Sequence, residues 1–64
     1  MKYYASDDRL AVYRIDEDYN GYYINKTEKD WVPSQDALRV QFDSGDFDRI
    51  SKEEAMAIIA GWKL

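Results

Sequence analysis

The sequence predicts an α+β fold: an antiparallel meander of three strands, with a fourth short one optional, packed on two C-terminal helices. Three observations carry this. Composition changes at the only proline, Pro33: short runs of aromatic and β-branched residues precede it, and Ala, Leu, Met, Ile and Glu dominate after it. Turn-forming clusters divide the first half into strand-length pieces. A capping sequence followed by an apolar stripe at helical spacing closes the chain. Strands first and helices second is the order of an α+β domain rather than of alternating βαβ units. At 64 residues the chain is one domain, 1–64.

The first strand is expected over residues 2–5 and ends at the turn Ser6-Asp7-Asp8. The second, over 9–16, is followed by Asp16–Gly21, whose closing Asn20-Gly21 is a strong hairpin dipeptide. The third covers 21–26, and Trp31-Val32 offers a fourth strand over 31–32 or a plug for the core. With an even loop, Ile15 opposes Tyr22 and Tyr13 opposes Ile24. That register puts Ala11, Tyr13, Ile15, Tyr22 and Ile24 on the core face and Leu10, Val12, Arg14, Tyr23 and Asn25 on the other. An odd loop pairs the faces differently.

The first helix is expected over 34–42, capped by Ser34, with Leu38 and Phe42 as an apolar pair four residues apart. The second, over 52–60, has the stronger signature. Ser51-Lys52-Glu53-Glu54 fits the capping box, and Ala55, Ile58, Ile59 and Trp62 follow along one helical face. Gly61 suits a helix stop, after which Trp62 and Leu64 fold back as an apolar tail.

A chain this short buries only about 60% of its unfolded surface, so its core is small. Cys and His are both absent. Thiolate and imidazole chemistry are therefore missing, including Cys- or His-ligated zinc and the Ser–His nucleophile. Six Tyr, two Trp and two Phe must supply the packing instead. A net charge of −4 disfavours duplex nucleic acid and anionic membranes. No apolar run approaches a signal peptide or membrane span, so a soluble cytoplasmic protein is the expectation. The carboxylate pairs Asp7-Asp8 and Glu53-Glu54 and the triplet Asp16-Glu17-Asp18 fall in turns or at a helix start. They read as solvated or dipole-favoured groups, not as a catalytic pair in a cleft. The chain is expected to be no enzyme and to carry no cofactor.

The stretch FDSGDFDRISKEEA, Phe42–Ala55, resembles a calcium loop in outline. Counted from Asp43, it has an acid first, Ile50 eighth, Ser51 ninth and Glu54 twelfth. The third, fifth and sixth places are Gly45, Phe47 and Asp48, where two oxygen ligands and the turn glycine belong. No calcium is expected. The same letters serve as helix end, acidic turn, aromatic anchor and capping box. Five acids, Asp43, Asp46, Asp48, Glu53 and Glu54, stand against Arg49 and Lys52, which concentrates −3 of the net −4 in one ridge.

The functional expectation is a small acidic module acting by protein contact or self-association through a sheet face bearing Tyr and Arg. Leu10, Val12, Arg14 and Tyr23 are its candidate interface residues, with Arg14 lying over Tyr23. Two other readings fit parts of the pattern. The acidic ridge would block a basic protein by imitating nucleic-acid phosphate. Alternatively, tyrosines interleaved with Lys2, Arg9, Arg14 and Lys26 would stack unpaired bases of a single strand.

Overall fold

Acidic turns shape the first half of the chain into a meander. The computed structural model describes residues 1–42 and 45–62. Strand β1 spans Lys2–Ser6, β2 Ala11–Ile15, β3 Gly21–Asn25 and β4 Val32–Pro33. Between β1 and β2, the Asp8 carboxylate accepts from the Ser6 hydroxyl at 2.7 Å and the Leu10 N–H at 3.0 Å. The Ser6 hydroxyl, then the Leu10 amide, hold the Asp8 carboxyl below its ordinary range. Arg9 closes this turn with a left-handed backbone, φ 59°.

The β2–β3 loop has five residues, an odd number, and the consequence runs through the whole molecule. Asp16 organises the loop: its carboxylate accepts from the N–H groups of Asp18 (2.9 Å) and Asn20 (2.8 Å). The Asn20 amide is the main cause of its lowered pKa. Tyr19, not Asn20 or Gly21, takes the left-handed conformation, φ 64°. Ile15 therefore pairs with Gly21, Val12 with Ile24, Tyr13 with Tyr23 and Arg14 with Tyr22. This is one residue away from the even-loop expectation, so the faces are redistributed. Val12 and Ile24 share one face; Tyr13, Ile15 and Tyr23 share the other.

A fifth strand, unexpected from the sequence, completes the sheet. Strand β5, Phe47–Ile50, pairs antiparallel with β1, giving the order β4-β3-β2-β1-β5. Its alternation places half-buried Phe47 on one face and buried Ile50 on the other. The neighbouring Asp and Gly residues had marked the segment as a turn; Phe-x-x-Ile beside an open strand edge decides otherwise.

The chain travels from the β4 edge to the β5 edge by way of helix α1, Ala37–Val40, which packs on β2 and β3. Only this single turn of the expected 34–42 helix forms. Ser34 is not its cap: its N–H donates to the Gly21 carbonyl at 2.8 Å and prolongs the β3–β4 pairing. Asp36 stands at the N-cap without a side-chain capping bond. The helix stops at Val40, so the expected Leu38–Phe42 pair is not made and Phe42 is 83% exposed.

Helix α2, Lys52–Gly61, begins as expected. The Ser51 hydroxyl accepts from the Glu54 N–H at 3.1 Å, and the Glu54 carboxylate takes the Ser51 N–H. Gly61 continues the helix rather than ending it, and Trp62 is the C-cap. The Trp62 indole donates to the Arg9 carbonyl at 3.1 Å, tying the helix end to the β1–β2 turn. The expected Leu64 tail lies outside the described residues.

The two helices pack on opposite faces of the sheet. On one face Tyr3, Ala5, Val12, Ile24 and Ile50 meet Ala55 of α2, with Ile58, Ile59, Trp62 and Trp31 packed around them. On the other, Tyr4 and Ile15 meet Val40 of α1, with Tyr13, Leu38 and Phe47 alongside. Among the described residues no helix is long and apolar enough to cross a membrane.

Candidate protein-contact groove

The four candidate interface residues do not form one surface. Val12 is 0% exposed in the centre of the α2-side core and cannot touch a partner. Tyr23 lies on the opposite face, its ring 6.2 Å from that of Tyr13. Leu10, 52% exposed, belongs to the β1–β2 turn. Arg14 does stack on tyrosine, but on Tyr22 rather than Tyr23. Its guanidinium lies 4.8 Å from the Tyr22 ring centroid and 4.4 Å from that of Trp31, held between the two. Its Nε is buried without a hydrogen-bond acceptor. The rings hold this cation by their quadrupoles.

The acidic ridge also separates into individual duties. Asp48 pairs with Arg9 at 3.0 Å, linking β5 to the β1–β2 turn. The Asp46 carbonyl accepts from the Asp7 N–H at 3.2 Å. Glu54 belongs to the capping box, and exposed Glu53 stands in the first turn of α2, where the helix dipole favours it. Asp43 lies outside the described residues. Among the described residues no three carboxylates gather as a metal-binding group.

A broad concavity lies where the β2–β3 loop, β4 and α1 converge, at the end of the sheet. It is an open groove of about 750 Å³ whose apolar walls are Tyr19, Tyr22, Pro33 and Leu38, with Asp36 and Arg39 on its rim. Each wall has a cause. Tyr22 is fixed from behind by the Arg14 guanidinium. Gly21 lets the loop and α1 approach: a Cβ there would stand 2.5 Å from the Ser34 carbonyl oxygen and 2.9 Å from the Ala37 Cβ. Pro33 pairs with Tyr22 across β3–β4. Tyr19 is 66% exposed and held in the left-handed region, an expensive place for a side chain of its size.

A smaller cavity of about 160 Å³ lies on the α1 face of the sheet, lined by Tyr13, Val40 and Phe47, with Asp36 and Arg39 again at its mouth. Phe47 meets Tyr13 edge to face at 5.4 Å. Burial, then the negative charge of Asp36, pushes the Tyr13 phenol above its ordinary pKa. This aromatic group chiefly fills space between α1 and β5.

Sequence reasoning found Arg14 and passed over Tyr19, Tyr22, Pro33, Asp36 and Arg39 as a group. The loop parity was the available signal. Asp16 followed two residues on by Asp18 and four on by Asn20 is a carboxylate that organises its own loop. Comparison with protein-family models, curated proteins and solved structures returned no match, so the surface is read from its own residues.

Proposed function

We propose that this chain is a small non-enzymatic module that works by protein contact, taking an aromatic or aliphatic anchor side chain into the groove between Tyr19 and Leu38. The observation that supports it best is the groove's construction. Apolar walls of Tyr, Pro and Leu sit under a rim of one acid and one base, and one wall is a strained, exposed tyrosine. Strain of this kind collects where a surface is kept for binding, and interface anchors lodge in such clefts.

The earlier functional expectation is retained in class and moved in place. Arg14 contributes by holding the Tyr22 wall, not by reaching a partner. Base stacking is less well supported, because Tyr22 and Trp31 each give a ring face to Arg14, and the net charge of −4 opposes a polyanion. An acidic ridge acting on a basic partner is less well supported too, since Asp48 and Glu54 already serve the fold.

Selection of peptides from a displayed random library against the immobilised chain tests this. Enriched peptides should share an aromatic or large aliphatic anchor, and the double variant Tyr19→Ser/Pro33→Ser should weaken them at least about tenfold. Leu10→Ser should leave them unchanged. Binding indifferent to the groove variant would refute the assignment.

A further inference from the structure

We infer that Asn20–Gly21 is a site of spontaneous covalent modification, at which the Gly21 main-chain nitrogen converts the Asn20 side-chain amide to a carboxylate; the inference stands whatever the groove accommodates. The Gly21 nitrogen attacks the Asn20 Cγ, forming an N–C bond and closing a five-membered imide. The Asn20 Cγ–Nδ2 bond breaks, and ammonia leaves with the proton given up by the Gly21 N–H. Water then opens the imide at one of its two carbonyls. One opening gives aspartate. The other gives an isoaspartyl residue, whose former side-chain carbonyl lies in the main chain.

The loop leaves both reacting groups accessible. Asn20 is exposed, and the ladder turns the Gly21 nitrogen away from β2. The Asp16 N–H donates to the Asn20 carbonyl at 3.0 Å. By the alternation of an antiparallel ladder, the next pair, Ile15 and Gly21, is then the one without mutual hydrogen bonds. The Gly21 carbonyl accepts from the Ser34 N–H, but among the described residues no bond from the Gly21 N–H to Ser34 is made in return. Glycine has no side chain to shield that nitrogen, and the fold requires glycine here: a Cβ would stand 2.5 Å from the Ser34 carbonyl oxygen. The packing that excludes larger residues from position 21 therefore keeps the reactive dipeptide in the chain.

Asn25, the only other asparagine, supplies an internal comparison. Its Oδ1 accepts from the Thr27 N–H at 3.0 Å and the Thr27 hydroxyl at 2.8 Å, and the nitrogen that follows it belongs to Lys26, which has a side chain to crowd the attack. Among the described residues the Asn20 side chain makes one hydrogen bond, from Nδ2 to the Asp16 carboxylate at 3.2 Å. That bond makes the product costly. Once Asn20 is a carboxylate the donor is gone, and a negative charge faces Asp16, whose own carboxyl is held below its ordinary range chiefly by the Asn20 N–H. The isoaspartyl form also adds a main-chain carbon to the loop whose length sets the β2–β3 register. Both residues line the groove, so either product places a negative charge in its wall.

Incubation of the folded chain in mildly alkaline buffer, followed by peptide mapping with mass spectrometry, tests this. Asn20 should convert at least about tenfold faster than Asn25, a barrier lower by roughly 1.4 kcal/mol. The rate should rise with pH, because the Gly21 nitrogen must give up its proton. Asn20→Gln, which would need a larger ring, should stop conversion at this position. The purified product should unfold at a lower urea midpoint than the starting chain, and Asn20→Asp should reproduce the aspartyl part of that loss. The loss caused by Asn20→Asp should shrink in an Asp16→Asn background, where the facing charge is removed. Position 20 is exposed, and circular dichroism checks that each variant keeps the fold. Equal rates at Asn20 and Asn25, or an Asn20 that stays intact, would overturn the site. A product with an unchanged urea midpoint, or a loss indifferent to Asp16→Asn, would overturn its coupling to the loop.

Discussion

Tyr19 and Gly21, two residues apart, divide the work of the β2–β3 loop between strain and space. Tyr19 adopts φ 64° where glycine would sit without penalty. Tyr19→Gly should stabilise the fold by about 1 kcal/mol in urea denaturation while abolishing anchor binding in the groove. Gly21 is needed for a different reason: its φ is ordinary, but a methyl group would collide with the Ser34 carbonyl. Gly21→Ala should cost about 1–3 kcal/mol by the same measurement, through overpacking rather than conformational strain. Tyr13 supplies a pH test. Its phenol is raised above the model-peptide value of 10.0, mainly by burial and next by Asp36. The folded state thus keeps the proton that the unfolded chain releases first. Its contribution to stability is intact below pH 10.0 and is lost as pH rises through the folded-state value. Asp36→Asn should lower the Tyr13 ionisation midpoint, followed by spectrophotometric titration; an unchanged midpoint would remove Asp36 as a cause.

At the scale of elements, the parts that could be read from the sequence were those written in local chemistry. The Ser51–Glu54 box and the Ala55–Trp62 stripe needed only spacing to recognise, and both form. Ser51→Ala should cost about 1 kcal/mol, visible as a lower urea midpoint at unchanged slope. Strands β1 to β3 were readable from their turn clusters within a residue or two. The first helix was not, because Ser34 has two suitors. Its position before an Ala-Leu-x-Val run suggests a cap, but its N–H extends the β3–β4 pairing to the Gly21 carbonyl, so the backbone at 34 still follows the sheet edge and the helix begins only at Ala37. That is a tertiary choice no local window contains. β5 was hidden similarly: Phe47-Asp48-Arg49-Ile50 has weak strand character by itself and becomes a strand by lying against Tyr3–Ser6. The ion pair Arg9–Asp48 is a small supplement, since both side chains are about half exposed.

For the whole molecule, one loop residue more or fewer decides which side chains are inside. The five-residue loop sends Val12 and Ile24 beneath α2 and leaves the tyrosines Tyr4, Tyr13 and Tyr23 facing α1. Chain connectivity follows from the same arrangement. Having finished at the β4 edge, the backbone crosses one face as α1, adds β5 at the far edge and returns over the other face as α2. The sheet becomes the middle layer of three, with two small cores instead of one, and the groove is the gap that the short α1 leaves beside the β2–β3 loop. The candidate surface was therefore only partly visible beforehand: Arg14 and a tyrosine neighbour could be named, but which tyrosine, and which face, depended on loop parity. Val12→Ala should destabilise by about 2 kcal/mol with no direct effect on binding, which separates core from surface at a residue first read as interface.

The register of β2 against β3 underlies both the buried core and the groove, and a methyl NOE spectrum of the wild-type chain tests it most directly. The Val12 methyls should show strong cross-peaks to the Ile24 side chain and to the Ala55 methyl. Cross-peaks joining Ile24 to Tyr13, with the Val12 methyls free of contact with α2, would contradict the account.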